Sequence, residues 1–323
     1  MAMVETVRGP IDVDLLGTTL MHEHVFVLNE EIRLNYPAEW DEDVRITHAA
    51  AQLNKAVAAG ITAIADPTVI GLGRDIVRIK KVAALTPMHI IAATGLYTWN
   101  DVPFYFRYRT RRMTASGEDP MTDCFVGDLT EGIAGTGVKA AFLKCAVDEA
   151  GLTRGVERVL RAVARAHVLT GAPVTVHTHP GTRNGLEVVR VLREEGAELR
   201  RVVIGHSGDS KDPDYLAQVA DAGCLLGMDR FGIGMSPSLE RRTDVIAELC
   251  RRGHADRIVL SHDAACYIDW FPHDESRAGN YTFIHEFVLP ALTERGVTAD
   301  QLDAMLVGNP RRYFAGETAG NAS

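Results

Sequence analysis

The stretch Thr18-Thr19-Leu20-Met21-His22-Glu23-His24-Val25-Phe26 lies near the start of the chain and predicts an early β-strand that carries two histidines. Side chains on a strand alternate between its two faces, so His22 and His24 share one face. At a rise of roughly 3.3 Å per residue, their imidazoles would lie about 6–7 Å apart and could bind one metal ion. Because such a pair is equally typical of hydrogen-bonded core histidines, residues further along the chain have to decide between the two interpretations.

Seven more apolar, β-branched runs follow this stretch, separated by segments of helical period. This alternation is the pattern of a parallel sheet wrapped by helices. The predicted strands are 19–26, 61–69, 89–97, 139–147, 173–179, 201–207, 224–231 and 257–263. The predicted helices include 43–59, 74–84, 152–170, 184–195, 212–222, 238–252 and 281–295. Eight β/α units in 323 residues predict an α/β protein with a (β/α)₈ TIM barrel.

The remaining segments of the chain fit around this barrel. Val4 to Leu16 predicts a short N-terminal β-hairpin that closes the barrel floor, and 298–306 predicts a C-terminal helix. No linker or low-complexity tract divides the chain, so we expect residues 1–323 to form a single domain.

Composition and charge exclude several classes of function. The hydrophobic content of 46% is enough for a large core, and the net charge of −9 argues against a nucleic-acid partner. No segment has the roughly 20 consecutive apolar residues of a membrane helix. The N-terminus shows no signal-peptide pattern, and the five cysteines include no C-x-x-C pair. We therefore expect a cytoplasmic protein with reduced thiols and no membrane partner.

The longest irregular segment, 98–121, is rich in aromatic and basic residues. These are Trp99, Phe104, Tyr105, Phe106, Tyr108, Arg107, Arg109, Arg111 and Arg112. Aromatic and arginine side chains are enriched at protein interfaces. The segment predicts self-association, with a homodimer as the expected form, although a lid packed on its own barrel explains the composition equally well.

Four metal-competent residues come late in four of the later runs, and this supports a metal site. Lys144 falls late in the fourth run, His177 in the fifth and His206 in the sixth, and Asp263 closes the eighth. Active sites of (β/α)₈ barrels lie at the C-terminal ends of the strands, where such side chains converge. Each residue alone has a structural explanation, as a hydrogen-bonded histidine or a helix N-cap. Together with the two histidines of the first run, they predict a metal centre.

Alternation along the strands separates the other histidines from this centre. His262 is adjacent to Asp263 and should face the helices, whereas His179 should lie at the rim beyond His177. For the others we expect solvated or packed roles: His48, His89, His167, His254, His273 and His285.

A lysine among metal ligands needs a chemical explanation, because an ammonium group repels cations. Burial near positive charge depresses the pKa of a lysine, which leaves a neutral amine that can add carbon dioxide. Lys144 would then be a carbamate, a carboxylate on a long stem whose two oxygens can bridge two metal ions about 3.5–4 Å apart. An alternative is a Schiff-base lyase or aldolase that uses the Lys144 amine as its nucleophile. A barrel that binds a small molecule without catalysis is the other alternative.

At these residues the chain resembles the phosphotriesterase-like lactonases of the amidohydrolase superfamily, over essentially its whole length. The motifs that carry the resemblance are Met21-His22-Glu23-His24, Asp66-Pro67-Thr68, Gly71-Leu72-Gly73-Arg74-Asp75, Lys144, Val176-His177-Thr178, Ile204-Gly205-His206-Ser207-Gly208-Asp209, Gly227-Met228-Asp229-Arg230, Ile268-Asp269-Trp270 and Asn309-Pro310-Arg311-Arg312-Tyr313-Phe314.

The resemblance implies two divalent ions, with zinc expected and cobalt, iron or manganese as alternatives. His22, His24 and Asp263 would hold the buried ion and His177 and His206 the exposed one, while carbamylated Lys144 and a hydroxide bridge them. Asp263 would also carry the catalytic proton. The resemblance further places Tyr97, Arg230 and Trp270 in the substrate pocket. Ala264 and Ala265 are small for the family, which affects the expected pocket width.

The resemblance also implies an activity, the hydrolysis of N-acyl-homoserine lactones or related fatty-acid lactones, which is the chemistry of quorum quenching. We expect only weak phosphotriesterase activity, since the connection after the seventh strand is short. Apolar residues of the adjoining loops would form the channel for an acyl chain: Ile233, Met235, Ile268, Trp270 and Phe271.

Overall fold

The strands form a parallel barrel in the computed structural model, which describes residues 2–234, 237–271 and 279–316. Eight strands lie side by side in chain order: Thr19–Leu20, Ala63–Asp66, His89–Leu96, Phe142–Val147, Val174–Thr178, Val202–Ile204, Leu225–Met228 and Ile258–Leu260. Each strand falls within one predicted run. The Met21 N–H donates to the Leu260 carbonyl at 3.4 Å, so the eighth strand meets the first. The predicted (β/α)₈ TIM barrel is confirmed.

The prediction of one continuous strand over 19–26 is wrong, because this run consists of two pieces. Thr19–Leu20 pairs with Ala63–Asp66, whereas His24–Val27 pairs with Ala265–Ile268, which follows the eighth barrel strand. Residues 21–23 leave the sheet because the chain here changes from one neighbouring strand to another. The break therefore lies inside the histidine motif, and His22 is not on a regular strand.

One helix follows each barrel strand and covers its outer face. These helices are Glu42–Ala58, Ile76–Ala83, Pro120–Thr130, Arg154–Thr170, Gly185–Glu194, Pro213–Asp221, Leu239–Arg251 and Leu289–Glu294. Short polar side chains begin most of them: the Asp41 carboxylate accepts the Val44 N–H, and the Asp75 carboxylate accepts the Arg78 N–H. The helix Pro120–Thr130 was not predicted, although the sequence Asp119-Pro120 is a helix-start signal.

Two π-helical turns interrupt the last predicted helices. Ile284–Val288 and Ala304–Gly308 each come just before a proline, Pro290 or Pro310. Proline lacks an N–H and its ring crowds the carbonyl four residues earlier, so the preceding turn widens. The predicted C-terminal helix 298–306 consequently continues as far as Asn309–Ala315.

Short helical turns lie in the connections. They are Val13–Leu15, Glu30–Asn35, Pro37–Glu39, Phe104–Arg107, Arg111–Met113, Ile133–Gly135, Pro180–Thr182, Leu199–Arg201, Ser207–Asp209, Ala255–Arg257 and the C-terminal segment Ala299–Asp303. In the described part of the chain, no helix combines the length and the hydropathy needed to cross a membrane.

The N-terminal hairpin and the last helix close one end of the barrel. Met3–Thr6 pairs with Gly9–Asp12 in antiparallel fashion, as predicted for segment 4–16. Buried side chains of this segment and of the last helix pack against the inward-facing residues of the strands. The Tyr313 hydroxyl also lies 2.9 Å from the Thr175 hydroxyl on the fifth strand. The floor is filled, so the other end, where the strands terminate, is the open mouth of the barrel.

Candidate metal centre

Four of the predicted ligands form an inner group at the open end of the barrel. His22 Nε2 lies 3.3 Å from Asp263 Oδ1, and His24 Nε2 lies 3.5 Å from the same oxygen. Lys144 Nζ lies 3.2 Å from His22 Nε2. The ring centroids of His22 and His24 are 5.6 Å apart even though the strand breaks between them. Residues in or just after the first, fourth and eighth barrel strands therefore converge on one point.

The other two predicted ligands form an outer group beside the first. His206 Nε2 lies 2.7 Å from His177 Nδ1, and the rings of His206 and His22 are 5.0 Å apart. Both His177 and His206 are buried. All six residues that the sequence singled out are thus brought together in a single cluster.

Asp229 orients two of these histidines, a role that the sequence analysis did not assign. Its carboxylate accepts from Nδ1 of His22 and from Nδ1 of His206, each at 2.9 Å, and from the His206 backbone N–H at 2.8 Å. With the proton held on Nδ1, each ring turns the lone pair of Nε2 toward the cluster. Asp229 follows the seventh strand directly, so its position at a strand end was the available signal.

Electrostatics keep Asp229 ionised. Burial would raise the pKa of its carboxyl, but the adjacent His206 and His22 outweigh burial and hold that pKa far below its usual range. The donor atoms of His22, His206 and Asp229 lie close enough together to suggest a second ligand set. We assign Asp229 an orienting role instead, because its oxygens already accept hydrogen bonds from the outward-facing nitrogens.

The outer nitrogens of the other two histidines also contact oxygen atoms. His24 Nδ1 donates to the Thr68 hydroxyl at 2.7 Å, and that hydroxyl donates to Asp66 at 2.5 Å. His177 Nε2 donates to the Asp148 carboxylate. Burial lowers the pKa of His177 to about 4, and this favours a neutral ring.

The donor set fits divalent transition-metal ions. All four histidines have the outer nitrogen hydrogen-bonded to oxygen and the inner nitrogen turned toward the cluster. A carboxylate, Asp263, completes the inner group. Neutral imidazoles and carboxylates are the ligands that zinc and related ions prefer, and outer-shell partners of this kind are usual around such ions.

Lys144 is a buried amine at the centre of this cluster. It is only 1% exposed, and burial lowers the pKa of its amino group to about 8. Gly95 pairs with Lys144 on the neighbouring strand, and a Cβ at Gly95 would lie 1.8 Å from the Lys144 carbonyl oxygen. Only glycine therefore lets the two strands approach closely enough to place the lysine here.

Two of the cluster residues have a strained backbone. His206 has φ of 60° and Asp263 has φ of 54°, in the left-handed region that non-glycine residues rarely adopt. Each residue comes at the end of a barrel strand. Conformations of this kind persist where the surrounding structure enforces them, and they concentrate at functional sites.

Two of the predicted pocket residues, Tyr97 and Arg230, border the cluster, and the third, Trp270, lies beside Tyr97. The Tyr97 hydroxyl lies 3.3 Å from His177 Nδ1, and the Tyr97 ring is 6.5 Å from the ring of Trp270. Burial raises the pKa of Tyr97, so its phenol remains a hydrogen-bond donor. Arg230 Nε donates to Asp263 at 3.0 Å, and its Nη1 donates to Asp209 at 2.9 Å. No sequence pattern assigned a role to Asp209.

The histidines that were set aside lie away from the donor atoms. His262 Nδ1 donates to Glu23 at 2.6 Å, on the helix side of the barrel wall, as alternation predicts. His179 is half-buried at the rim, and its Nδ1 has no hydrogen-bond partner within the described ranges. His273, and Met235 of the predicted acyl channel, lie outside the described residues.

Comparison with known proteins agrees with this geometry. The model of the phosphotriesterase family matches residues 2–314. A Mycobacterium tuberculosis protein called phosphotriesterase homology protein is 54% identical over 319 residues, which cover 97% of this chain and 98% of that protein. The aryldialkylphosphatase of Saccharolobus solfataricus is 36% identical over 314 residues, which cover 95% and 98% of the two chains.

A solved structure extends the similarity to three dimensions. It is described as the phosphotriesterase from Mycobacterium tuberculosis and matches with a TM-score of 0.92 at 54% identity, covering 97% of this chain and 98% of that one. The barrel, the cluster of histidines and the full-length similarity lead to the same conclusion. The chain belongs to the phosphotriesterase family and is a metal-dependent hydrolase.

Proposed function

We propose that this chain is a binuclear metal-dependent lactonase that hydrolyses N-acyl-homoserine lactones or related fatty-acid lactones, with weak phosphotriesterase activity. One observation carries the proposal. A hydroxyl donor, Tyr97, borders a cluster of histidines that also contains the carboxylate of Asp263, and the aromatic ring of Trp270 lies 6.5 Å from that of Tyr97. A flat ring with a single carbonyl group would be held by one such donor and one such aromatic ring.

His22, His24 and Asp263 would hold one ion, and His177 and His206 would hold the other. Lys144 lies next to the inner group and would join the two ions as a carbamate, which forms when its neutral amine adds carbon dioxide and releases a proton. When bound, two divalent ions acidify water and polarise a carbonyl group. Zinc is the expected metal, with cobalt, iron or manganese as alternatives.

The side chains of this chain perform the remaining tasks. The Tyr97 phenol would donate a hydrogen bond to the carbonyl oxygen, where negative charge develops as the ring opens. Asp263 would accept the proton of the attacking water and pass it to the leaving alkoxide oxygen. Arg230 holds Oδ2 of Asp263 at 3.0 Å and so fixes the orientation of that carboxylate.

The apolar rim supports a substrate with a flexible chain. Trp270 is 44% exposed, Phe271 53% and Ile233 37%, so all three have apolar surface that an acyl chain could cover. Each methylene group buried there would stabilise the complex by about 0.8 kcal/mol. Catalytic efficiency should therefore rise with acyl length until this surface is covered.

Phosphotriester hydrolysis is the second candidate function. The name of the aryldialkylphosphatase relative favours it, and a phosphotriester resembles the tetrahedral transition state of lactone hydrolysis. The Schiff-base lyase and the non-catalytic barrel are not supported, because the family is one of metal-dependent hydrolases.

The decisive experiment compares substrates on the metal-loaded protein. A pH-indicator assay over acyl-homoserine lactones, simple γ- and δ-lactones and a nitrophenyl phosphotriester gives kcat/KM for each class. We expect the best lactone to exceed the phosphotriester by orders of magnitude. A phosphotriester value equal to that of the best lactone would refute lactonase specificity and support the second candidate.

We also propose a homodimer that forms through segment 98–121. Phe104 and Tyr108 stack with ring centroids 6.1 Å apart and are 72% and 70% exposed, as an aromatic contact surface would be. Sedimentation velocity of a Phe104→Glu, Tyr108→Glu double variant should show monomers. A matched control, Val77→Glu on an exposed helix face, should leave the sedimentation coefficient unchanged. A monomeric wild-type chain would contradict the proposal.

A further inference from the structure

Glu23 is a carboxylate with no exposed surface, and it stands between the two histidines of the first motif. Its Oε1 accepts hydrogen bonds from the Ser261 hydroxyl at 2.7 Å, from the His262 backbone N–H at 2.8 Å and from His262 Nδ1 at 2.6 Å. Its Oε2 accepts the Ala264 backbone N–H at 3.0 Å. One buried side chain of the first strand region thus holds the end of the eighth strand at four points.

These four points surround Asp263. The backbone N–H groups before and after it, at His262 and Ala264, go to the two oxygens of Glu23, while its own N–H donates to the His22 carbonyl at 3.0 Å. Asp263 itself has φ of 54°, a conformation that its surroundings must enforce. Three successive backbone donors are therefore anchored on residues 22 and 23, and this bonding enforces the left-handed turn.

We propose that Glu23 is a positioning residue that holds Asp263 in the orientation needed for metal binding. It acts through the backbone on both sides of that carboxylate and does not contact the reacting atoms. His262 extends the link, because its Nε2 accepts the Ile284 N–H at 3.1 Å and so ties the same turn to the helix behind it. This inference rests on the proposed metal site.

Substitution of Glu23 by glutamine should disrupt this set of hydrogen bonds. All four groups that face the carboxylate are hydrogen-bond donors. A glutamine amide has one acceptor oxygen and one NH₂ donor, so in either orientation its NH₂ faces at least one donor. The turn at Asp263 then loses an anchor although the side-chain volume is unchanged.

The test measures cobalt binding by the full-length chain. Cobalt-loaded wild type, Glu23→Gln and His262→Asn are dialysed with bicarbonate against graded chelator, and bound Co²⁺ is counted and its visible absorption spectrum recorded. Loss of an outer-shell partner typically weakens metal binding 10–100-fold, and we expect a loss of roughly this size for Glu23→Gln, with an altered spectrum. His262→Asn keeps an amide donor toward Glu23 and should show a smaller loss of cobalt affinity. If Glu23→Gln does not fold, the comparison of His262→Asn with wild type tests the inference.

Tyr313→Phe is the matched control, because it removes a buried hydrogen bond to Thr175 at the barrel floor. It should lower Tm without changing cobalt affinity or spectrum. If Glu23→Gln also lowers Tm but the variant binds cobalt as the wild type does, Glu23 has a merely structural role and the inference is overturned. Wild-type protein that binds no cobalt would instead overturn the proposed metal site itself.

Discussion

Hydrogen bonds to single residues decide which nitrogen of each histidine faces the centre. The Asp229 carboxylate accepts hydrogen bonds from the rings of His22 and His206 and also from the backbone N–H of His206. One side chain thereby sets the tautomers of His22 and His206, one from each proposed ion. Its position at a strand end resembles that of a ligand, but its hydrogen bonds go to the histidines.

The variant Asp229→Asn tests this role. An asparagine presents one oxygen and one NH₂ group to two N–H donors, so one histidine loses its partner. We expect metal affinity to fall roughly 10–100-fold, measured by chelator competition. Asp43→Asn, the same change at an exposed helix start, serves as the control and should bind metal normally. Equal affinities in the two variants would contradict the role of Asp229.

The variant Lys144→Ala tests the carbamate. Removal of the side chain takes away the bridging group, so most activity should be lost, and a short carboxylate such as acetate should restore part of it. Activity and metal content are measured with and without acetate, with Lys139→Ala, just before the same strand, as the control. The carbamate hypothesis fails if Lys144→Ala keeps near-normal metal content and rate.

Among the elements, the helix Arg154–Thr170 shows how one β/α unit is joined to the next. It ends at Gly171, whose φ of 73° forms the C-cap. Near this end, His167 Nδ1 donates to the Ala172 carbonyl at 2.7 Å and Nε2 accepts the Glu198 N–H at 2.9 Å. The bond accepted by Nε2 requires a neutral ring, and burial lowers the pKa of His167 and so favours that form.

This pKa shift predicts a pH-dependent stability. The folded pKa of His167 lies below the unfolded value of about 6.5, so acid protonates the unfolded chain first. The stabilisation is complete above that value and is lost as the pH falls below it. His167→Ala should lower the free energy of unfolding by about 1–3 kcal/mol at pH 8, since a buried ring is removed and two partly buried hydrogen bonds are lost, and by less at pH 5.5.

Thermal unfolding of wild type and His167→Ala at the two pH values measures this difference. Because both proteins contain the other histidines, only the contribution of position 167 remains in the comparison. Val168→Ala on the same helix carries no titratable group and should show a difference independent of pH. A His167→Ala difference that stays constant with pH would rule out the interpretation.

For the molecule as a whole, the candidate ligands lie in or just after five of the eight barrel strands: the first, fourth, fifth, sixth and eighth. Ions bound there would cross-link the barrel mouth, whereas the floor is held by apolar packing. Binding to the folded state alone stabilises it by about 2.7 kcal/mol at a free metal concentration 100-fold above Kd.

We therefore predict about two divalent ions per chain and a lower Tm after chelation. Elemental analysis of metal-replete protein gives the first value, and calorimetry before and after chelation gives the second. Magnesium added back to the chelated protein is the control, because it prefers oxygen ligands and should not restore Tm. One ion or none per chain, or an unchanged Tm, would be the contrary result.

The barrel and the six residues of the cluster follow from the order of amino acids alone. Hydrophobic periodicity is a local property, so eight apolar runs separated by helical segments identify the fold without any knowledge of contacts. The barrel then brings all strand ends together, and residues such as Lys144 and His177 can be selected by position alone.

The way in which these residues are held depends on contacts that form in the folded barrel. Asp229 contacts His22 across 207 positions of sequence, and Glu23 contacts the His262 backbone across 239. Such pairs form only when the eighth strand closes on the first, and the same closure splits the first run at His22. Periodicity carries no information on which distant donor meets which acceptor, so the orienting carboxylates and the strained turn at Asp263 depend on the closed barrel.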